Sequence, residues 1–176
     1  MNVICFGDSN TYGYDPRGYF GGRYEADSRW VDILAEKTGW TVCNMGQNGR
    51  EIPSVPPFPA DTDLLIVMLG TNDLLQGRSP EQAARRLDRL LSGISLERNK
   101  ILLIAPPPVT LGEWVPSQQL IDDSRAFDGL CQALAERLGI RFADAGKWDI
   151  PLAYDGVHFT EQGHRAFAAG LLEELR

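Results

Sequence analysis

Short, unbroken apolar runs separated by stretches of helical periodicity predict an α/β fold, a three-layer sandwich with helices on both faces of a sheet of about five parallel strands. Within the runs polar and apolar residues do not alternate, as expected of strands covered on both sides. Between the runs apolar residues return every three or four positions, the spacing of a helix with one buried face. Strand–helix–strand order winds right-handed and leaves the strands parallel.

Taken in order, Val3-Ile4-Cys5-Phe6 is the first strand and stops at Gly7. Trp30, Ile33, Leu34 and Thr38 mark the first helix, which ends near Gly39. Thr41-Val42-Cys43 is the second strand. The connection from Ile52 to Pro59 contains Pro53, Pro56, Pro57 and Pro59, which exclude a long regular helix. Leu64 to Leu69 forms the third strand. Ser79, Pro80 and Gln82 then supply a cap, a first-position proline and a capping box for a helix striped by Ala83, Ala84, Leu87, Leu90, Leu91 and Ile94. Ile101 to Ile104 is the fourth strand, and Leu120, Ile121, Ser124, Phe127, Leu130, Cys131, Leu134 and Leu138 stripe the helix that closes at Gly139. The weakest strand is Ile140-Arg141-Phe142-Ala143, and the last helix starts after Thr160 and presents Phe167, Leu171, Leu172 and Leu175. Without an internal repeat or linker, residues 1–176 read as a single domain.

Charge and cysteine content narrow the function classes. The 17 basic and 24 acidic residues give a net charge of −7 with no basic stripe, so neither nucleic acid nor an anionic membrane is an expected partner. Cys5, Cys43 and Cys131 lie in apolar surroundings at spacings that fit no metal site, and they are expected to be buried, reduced thiols. That points to a reducing compartment, and no secretory leader or apolar run of about 20 residues is visible, so the expected location is the cytoplasm.

Ligands of an open parallel sheet bind beyond the carboxyl ends of its strands. Polar segments leave those ends at Gly7 to Asn10, Asn44 to Arg50, Gly70 to Asp73 and Ala105 to Pro108, and Tyr154 to Phe159 precedes the last helix. Ser9 follows the first strand directly. A serine hydroxyl needs a base to take its proton as it attacks. His158 stands three residues after Asp155, a spacing that lets the carboxylate hold one ring nitrogen while the other faces Ser9. Asn72, through its amide, and the N–H groups of Gly49 and Ser9 are candidate donors to an oxyanion. A serine after a strand more often caps a turn, and Asp-x-x-His is common by chance; their joint placement at the sheet edge favours catalysis. Asp8 and Asp73 are expected to orient loops by accepting backbone N–H groups. His164 is expected to be a surface or packing residue. A carboxylate set of Asp8, Asp73 and Asp155 for glycosidase or metal chemistry would leave His158 and Asn72 unexplained.

These residues together resemble the SGNH (GDSL-type) hydrolase family. Gly7-Asp8-Ser9 matches its first block, continued by Asn10-Thr11-Tyr12-Gly13 in the manner of a GDSN variant. Asn44 to Gly49 matches the Asn-x-Gly-x-x-Gly stretch that supplies the oxyanion glycine, a role given to Gly49 ahead of Gly46. Gly70-Thr71-Asn72-Asp73 and Asp155-Gly156-Val157-His158 match the remaining blocks. The resemblance implies a flavodoxin-like sandwich, acyl-enzyme chemistry with neither metal nor cofactor, and esterase, thioesterase, lipase-like or carbohydrate-deacetylating activity. In style the motifs are closest to small arylesterases and acyltransferases, so the expected substrate is a small, short-acyl or aryl ester. Asn10, Tyr12, Arg50 and Trp114 are the candidate substrate-binding residues, with Tyr14, Tyr19 and Phe20 as further aromatics. Those loops also leave a homo-oligomer open. Two other classes compete: a binding module of the same fold without turnover, and a flavodoxin-like nucleotide or flavin binder, which lacks a phosphate-cradling glycine run after the first strand.

Overall fold

The apolar runs are strands and the periodic stretches are helices. A computed structural model describes residues 1–18 and 22–176. In chain order its elements are β1 (Asn2–Gly7), α1 (Ser9–Tyr12), α2 (Trp30–Thr38), β2 (Thr41–Gly46), β3 (Leu64–Met68), α3 (Thr71–Leu75), α4 (Pro80–Ser92), β4 (Ile101–Ala105), α5 (Gln118–Leu138), β5 (Arg141–Asp144) and α6 (Glu161–Glu174). All strand pairs are parallel, in the order β2-β1-β3-β4-β5. This is the flavodoxin-like order, and its winding reverses between β1 and β3.

Burial explains the unbroken runs. Successive residues of a strand face opposite sides of the sheet. Leu65 and Val67 of β3 join α4 and α5 in one core, while Leu64, Ile66 and Met68 join α2 and α6 in the other. Every residue of β3 and β4 is therefore buried, and each large apolar side chain contributes about 1.5–3 kcal/mol by leaving water. Helix α4 begins as its sequence requires, with Pro80 in the first turn and Ser79 and Gln82 in a reciprocal capping box.

The edge strand departs from expectation. β2 runs through Gly46, so Asn44 to Gly46 is strand rather than loop. Cys43 is exposed, not buried. It pairs with Ile4 and shares the face that α4 and α5 cover, but α5 lies over β4 and β5, toward the opposite edge. Two short helices, α1 and α3, also form from segments expected to be loops.

His164 proves to be a packing residue. It is completely buried, with the rings of Tyr24 and Phe159 each 5.3 Å away, and neither ring nitrogen has a hydrogen-bond partner among the described residues. Burial first, and then the charges of Arg29 and His158, push its pKa down from 6.5 to about 3. The unfolded chain therefore takes this proton before the folded one as pH falls. The contribution of His164 to stability is full above pH 6.5 and is lost toward pH 3. Replacing the ring with a neutral one of similar size isolates the effect. Between pH 7 and pH 4.5, urea unfolding should show wild type losing about 2–3 kcal/mol more stability than His164→Phe. Parallel losses in the two proteins would clear His164 of the effect.

Candidate active site

The site begins where β1 ends. Gly7 is needed there because a Cβ would lie 2.1 Å from Thr11 Oγ1 and 2.9 Å from the Met68 carbonyl. The chain turns at once into α1, whose first residue is Ser9; Asp8 caps the turn by accepting the Asn10 N–H at 3.0 Å. Burial holds the Asp8 carboxyl up at about 6, against that hydrogen bond and the nearby charges of His158 and Arg50.

Asp155 and His158 come from the tight loop between β5 and α6. Asp155 Oδ1 accepts the N–H groups of Val157 and His158, both at 2.9 Å, and Oδ2 lies 2.6 Å from His158 Nδ1. Burial alone would raise the Asp155 pKa; the hydrogen bonds from the His158 ring and from these two backbone groups outweigh it and hold the carboxyl below its ordinary value. An ionised carboxylate only accepts, so the ring proton sits on Nδ1. Nε2 is left with its lone pair toward Ser9 Oγ, 2.9 Å away across 149 residues of sequence. All three side chains are buried. The structure thus joins Ser9, His158 and Asp155 in one hydrogen-bonded chain, an arrangement that can draw a proton off the hydroxyl and stabilise the imidazolium that results.

The opposite side of Ser9 is built from β2 and β3, which flank β1. Their ends are level, since Gly7 pairs with both Gly46 and Met68. Beyond β3, Asn72 Nδ2 donates to the Arg50 carbonyl at 3.1 Å, and its second N–H is not used by that bond. Next to it the fully buried Asp73 accepts the Ile52 N–H at 2.8 Å and faces Arg86 Nε at 2.9 Å. Burial raises its pKa in spite of those partners. Asp8 and Asp73 are thus held at separate backbone turns, in the orienting role expected of them.

The two candidate glycines separate clearly. Gly46 N–H donates to Asn44 Oδ1 at 2.9 Å, and a Cβ on Gly46 would lie 2.1 Å from the Tyr12 nitrogen. Gly46 therefore lets α1 pack on β2. Gly49 has a φ of 70°, which favours glycine, and its N–H has no acceptor among the described residues. A Cβ there would meet open space, so the turn rather than crowding explains this glycine.

Of the four expected substrate contacts, Trp114 alone lies against the His158 ring, 4.9 Å from it and edge-on. Tyr14 flanks the same ring at 4.6 Å, tilted by 53°. The other three need correction. The Tyr12 ring is covered by the Arg23 guanidinium at 4.6 Å. Arg50 folds back under the loop, donating to the Gly7 and Met45 carbonyls and to Gln47 Oε1, with its guanidinium 4.6 Å over the Phe6 ring. It braces the ends of β1 and β2 instead of facing substrate, and burial lowers its pKa. Asn10 is buried, and both polar atoms of its side chain bind backbone, Nδ2 to the Val157 carbonyl at 3.1 Å and Oδ1 to the Phe159 N–H at 2.9 Å. Tyr19 and Phe20 lie outside the described residues.

Sequence reasoning missed Gly112. The 110–115 loop hydrogen-bonds along the loop that carries Asp155 and His158 through Thr110, Glu113 and Trp114 N–H groups, which meet the carbonyls of Gly156, Tyr154 and Asp155. A Cβ on Gly112 would lie 2.4 Å from the Asp155 carbonyl carbon, and one on Gly156 would lie 2.1 Å from the Thr110 carbonyl oxygen. Nothing in Thr110-Leu111-Gly112-Glu113-Trp114 marks this contact from sequence. Among the described residues no group of three or more His, Cys, Asp or Glu side chains is placed to hold a metal ion.

Comparison with known proteins follows the same lines. Residues 5–166 match the model of the GDSL-like Lipase/Acylhydrolase family. A carbohydrate acetylesterase family member from Sinorhizobium meliloti is 25% identical, with a TM-score of 0.84 over 100% of this chain and 97% of that one. The aryl esterase of M. smegmatis is 28% identical, with a TM-score of 0.83 over 100% and 98% of the two chains. No curated protein matches the chain in sequence. With the family match spanning nearly the whole chain, and Ser9, Gly49, Asn72, Asp155 and His158 all inside it, the chain belongs to the GDSL-like lipase/acylhydrolase family and is a serine-type hydrolase of carboxylic esters.

Proposed function

We propose that the protein hydrolyses small carboxylic esters with short acyl groups and aryl alcohols, through an acyl-enzyme on Ser9. The observation that carries this reading is the 2.9 Å contact of Ser9 Oγ with His158 Nε2, backed by Asp155 at 2.6 Å. In the first step Ser9 Oγ attacks the ester carbonyl carbon while His158 Nε2 takes the hydroxyl proton, and Asp155 stabilises the imidazolium. The carbonyl oxygen, now an oxyanion, rests on the Ser9 and Gly49 N–H groups and on the Asn72 amide. His158 then returns its proton to the alcohol oxygen as the carbon–oxygen bond breaks. Water repeats the sequence on the acyl-enzyme, releasing the acid and restoring Ser9.

Substrate preference follows from where the alcohol leaves. It must take its proton from His158, and that ring is flanked by Tyr14 and by Trp114, which is 47% exposed. A planar aryl alcohol gains ring contacts on this path that a small alkyl alcohol does not. Acetylated sugar is the second reading, favoured by the likeness to the S. meliloti carbohydrate acetylesterase family member; a sugar ring can use the same aromatic walls. The proposed location is the cytoplasm, where three unpaired cysteines would stay reduced. No helix among the described residues is long and apolar enough to cross a membrane.

Three substitutions, a covalent probe and an ester panel test the reading. Ser9→Ala should lower p-nitrophenyl acetate turnover by more than about 10³-fold, and a fluorophosphonate should label Ser9 of the wild type; labelling at another residue refutes the nucleophile. Asn72→Ala should fold normally and lose about 10²–10³ in kcat, the usual loss for one oxyanion donor; unchanged turnover removes Asn72 from the site. Trp114→Ala should raise KM for phenyl acetate by about tenfold and leave ethyl acetate within about twofold. Acetyl, butyryl and octanoyl phenyl esters and acetylated xylose, run alongside, rank acyl length and alcohol. Faster turnover of the acetylated xylose would transfer the assignment to deacetylation.

A further inference from the structure

We propose that Asn10 is a positioning residue, a clamp that fixes His158 against Ser9 by gripping the main chain on both sides of the imidazole. This inference rests on the reading that Ser9 and His158 carry the reaction. The Asn10 side chain spans one residue of the catalytic loop. Its Nδ2 donates to the carbonyl before His158 and its Oδ1 accepts the N–H after it, at 3.1 and 2.9 Å. Asn10 also follows Ser9 directly. Nucleophile and base are therefore tied twice, once through the reacting atoms and once through their neighbours, across 147 to 149 residues of chain.

The clamp is itself held rigidly. The Asn10 N–H donates to Asp8 Oδ1 at 3.0 Å, and the Asn10 carbonyl accepts the Trp30 Nε1–H at 2.9 Å. Trp30 is buried at the start of α2. On the far side, the His158 N–H is held by Asp155 Oδ1, the His158 carbonyl accepts the Ala153 N–H at 2.7 Å, and the Phe159 carbonyl accepts the Tyr24 hydroxyl at 3.2 Å. Asn10 supplies the partners for the Val157 carbonyl and the Phe159 N–H. Both residues are buried, and unpaired backbone groups there would have to find partners by moving the loop. A shift of that loop of about 1 Å would remove His158 Nε2 from hydrogen-bonding range of Ser9, a misplacement worth up to about 10²-fold in rate. An apolar side chain at this position has no polar atom with which to make the grip.

The test uses two substitutions. Asn10→Leu keeps the branching and the number of side-chain heavy atoms, at a larger volume, and removes both hydrogen bonds. It should lower kcat for p-nitrophenyl acetate by about 10–10²-fold per folded molecule, with KM within about threefold, and slow fluorophosphonate labelling in parallel. Asn10→Asp carries a signature that a purely structural role would not produce. As a carboxylate it sets an oxygen against the Val157 carbonyl; protonated, it restores one donor and one acceptor in the amide's positions. The titratable groups around it are Asp8, Asp155 and His158. Its kcat relative to wild type should rise as pH falls from 8 to 5, while the Asn10→Leu ratio stays flat. Full kcat per folded Asn10→Leu molecule overturns the clamp. Should that variant not fold, a pH-independent Asn10→Asp ratio overturns it. Ser9→Ala separates the two readings: a dead Ser9→Ala beside a fully active Asn10→Leu refutes the clamp alone, and an active Ser9→Ala refutes the underlying assignment.

Discussion

A neutral imidazole holds its lone pair toward a hydroxyl most firmly when its other nitrogen is pinned to an acceptor, which fixes tautomer and ring orientation, and the Asp155–His158 contact of 2.6 Å imposes that condition here. The cost of keeping the Asp155 carboxylate buried and ionised is met by two backbone N–H groups of the same loop, as well as by the ring. Because all of these donors come from residues 157 and 158, the carboxylate shapes the loop it charges. The loop in turn presents the His158 ring at one angle. Most of the surrounding structure serves to deliver this small unit to Ser9.

Delivery is the work of the sheet. Reversing the winding between β1 and β3 opens a crevice beside the end of β1, and that is where Ser9 leaves the strand. β2 and β3 end level with β1, so the segments carrying Gly49 and Asn72 flank it. Helices on both faces leave the strand ends as the place where polar loops can gather without breaking a core. Aromatic and polar ties then carry the last loop back across the sheet: Tyr24 to Phe159, Tyr154 to Pro16, and Asn10 to both neighbours of His158.

What the sequence disclosed, and what it hid, divides by range. The strands were legible because residues such as Leu64 to Met68 are buried on both faces and read as apolar throughout. The pairing of Asp155 with His158 was legible because both lie in one loop, where spacing constrains geometry. The roles of Asn10, Tyr12 and Arg50 were not. Asn10 binds residues nearly the whole chain away, and Arg50 turns inward onto carbonyls that any sequence would supply. Gly13, with a φ of 91°, turns the chain sharply, and the tyrosine after that turn, not the one before it, lies beside His158. Cys43 was misjudged because an apolar strand does not announce that it stands at an edge.

The interlocking of Gly112 with Gly156 bears on how such an enzyme changes its diet. Backbone here lies against backbone, with no space for even a methyl group between the 110–115 loop and the peptide that carries the Asp155 carboxylate. Insertions or bends near Gly112 would be transmitted at once to Asp155. Divergence toward new esters is therefore channelled into the outward side chains of the same loop, Leu111 and Trp114 above all, which are exposed and can vary without disturbing the acid behind them.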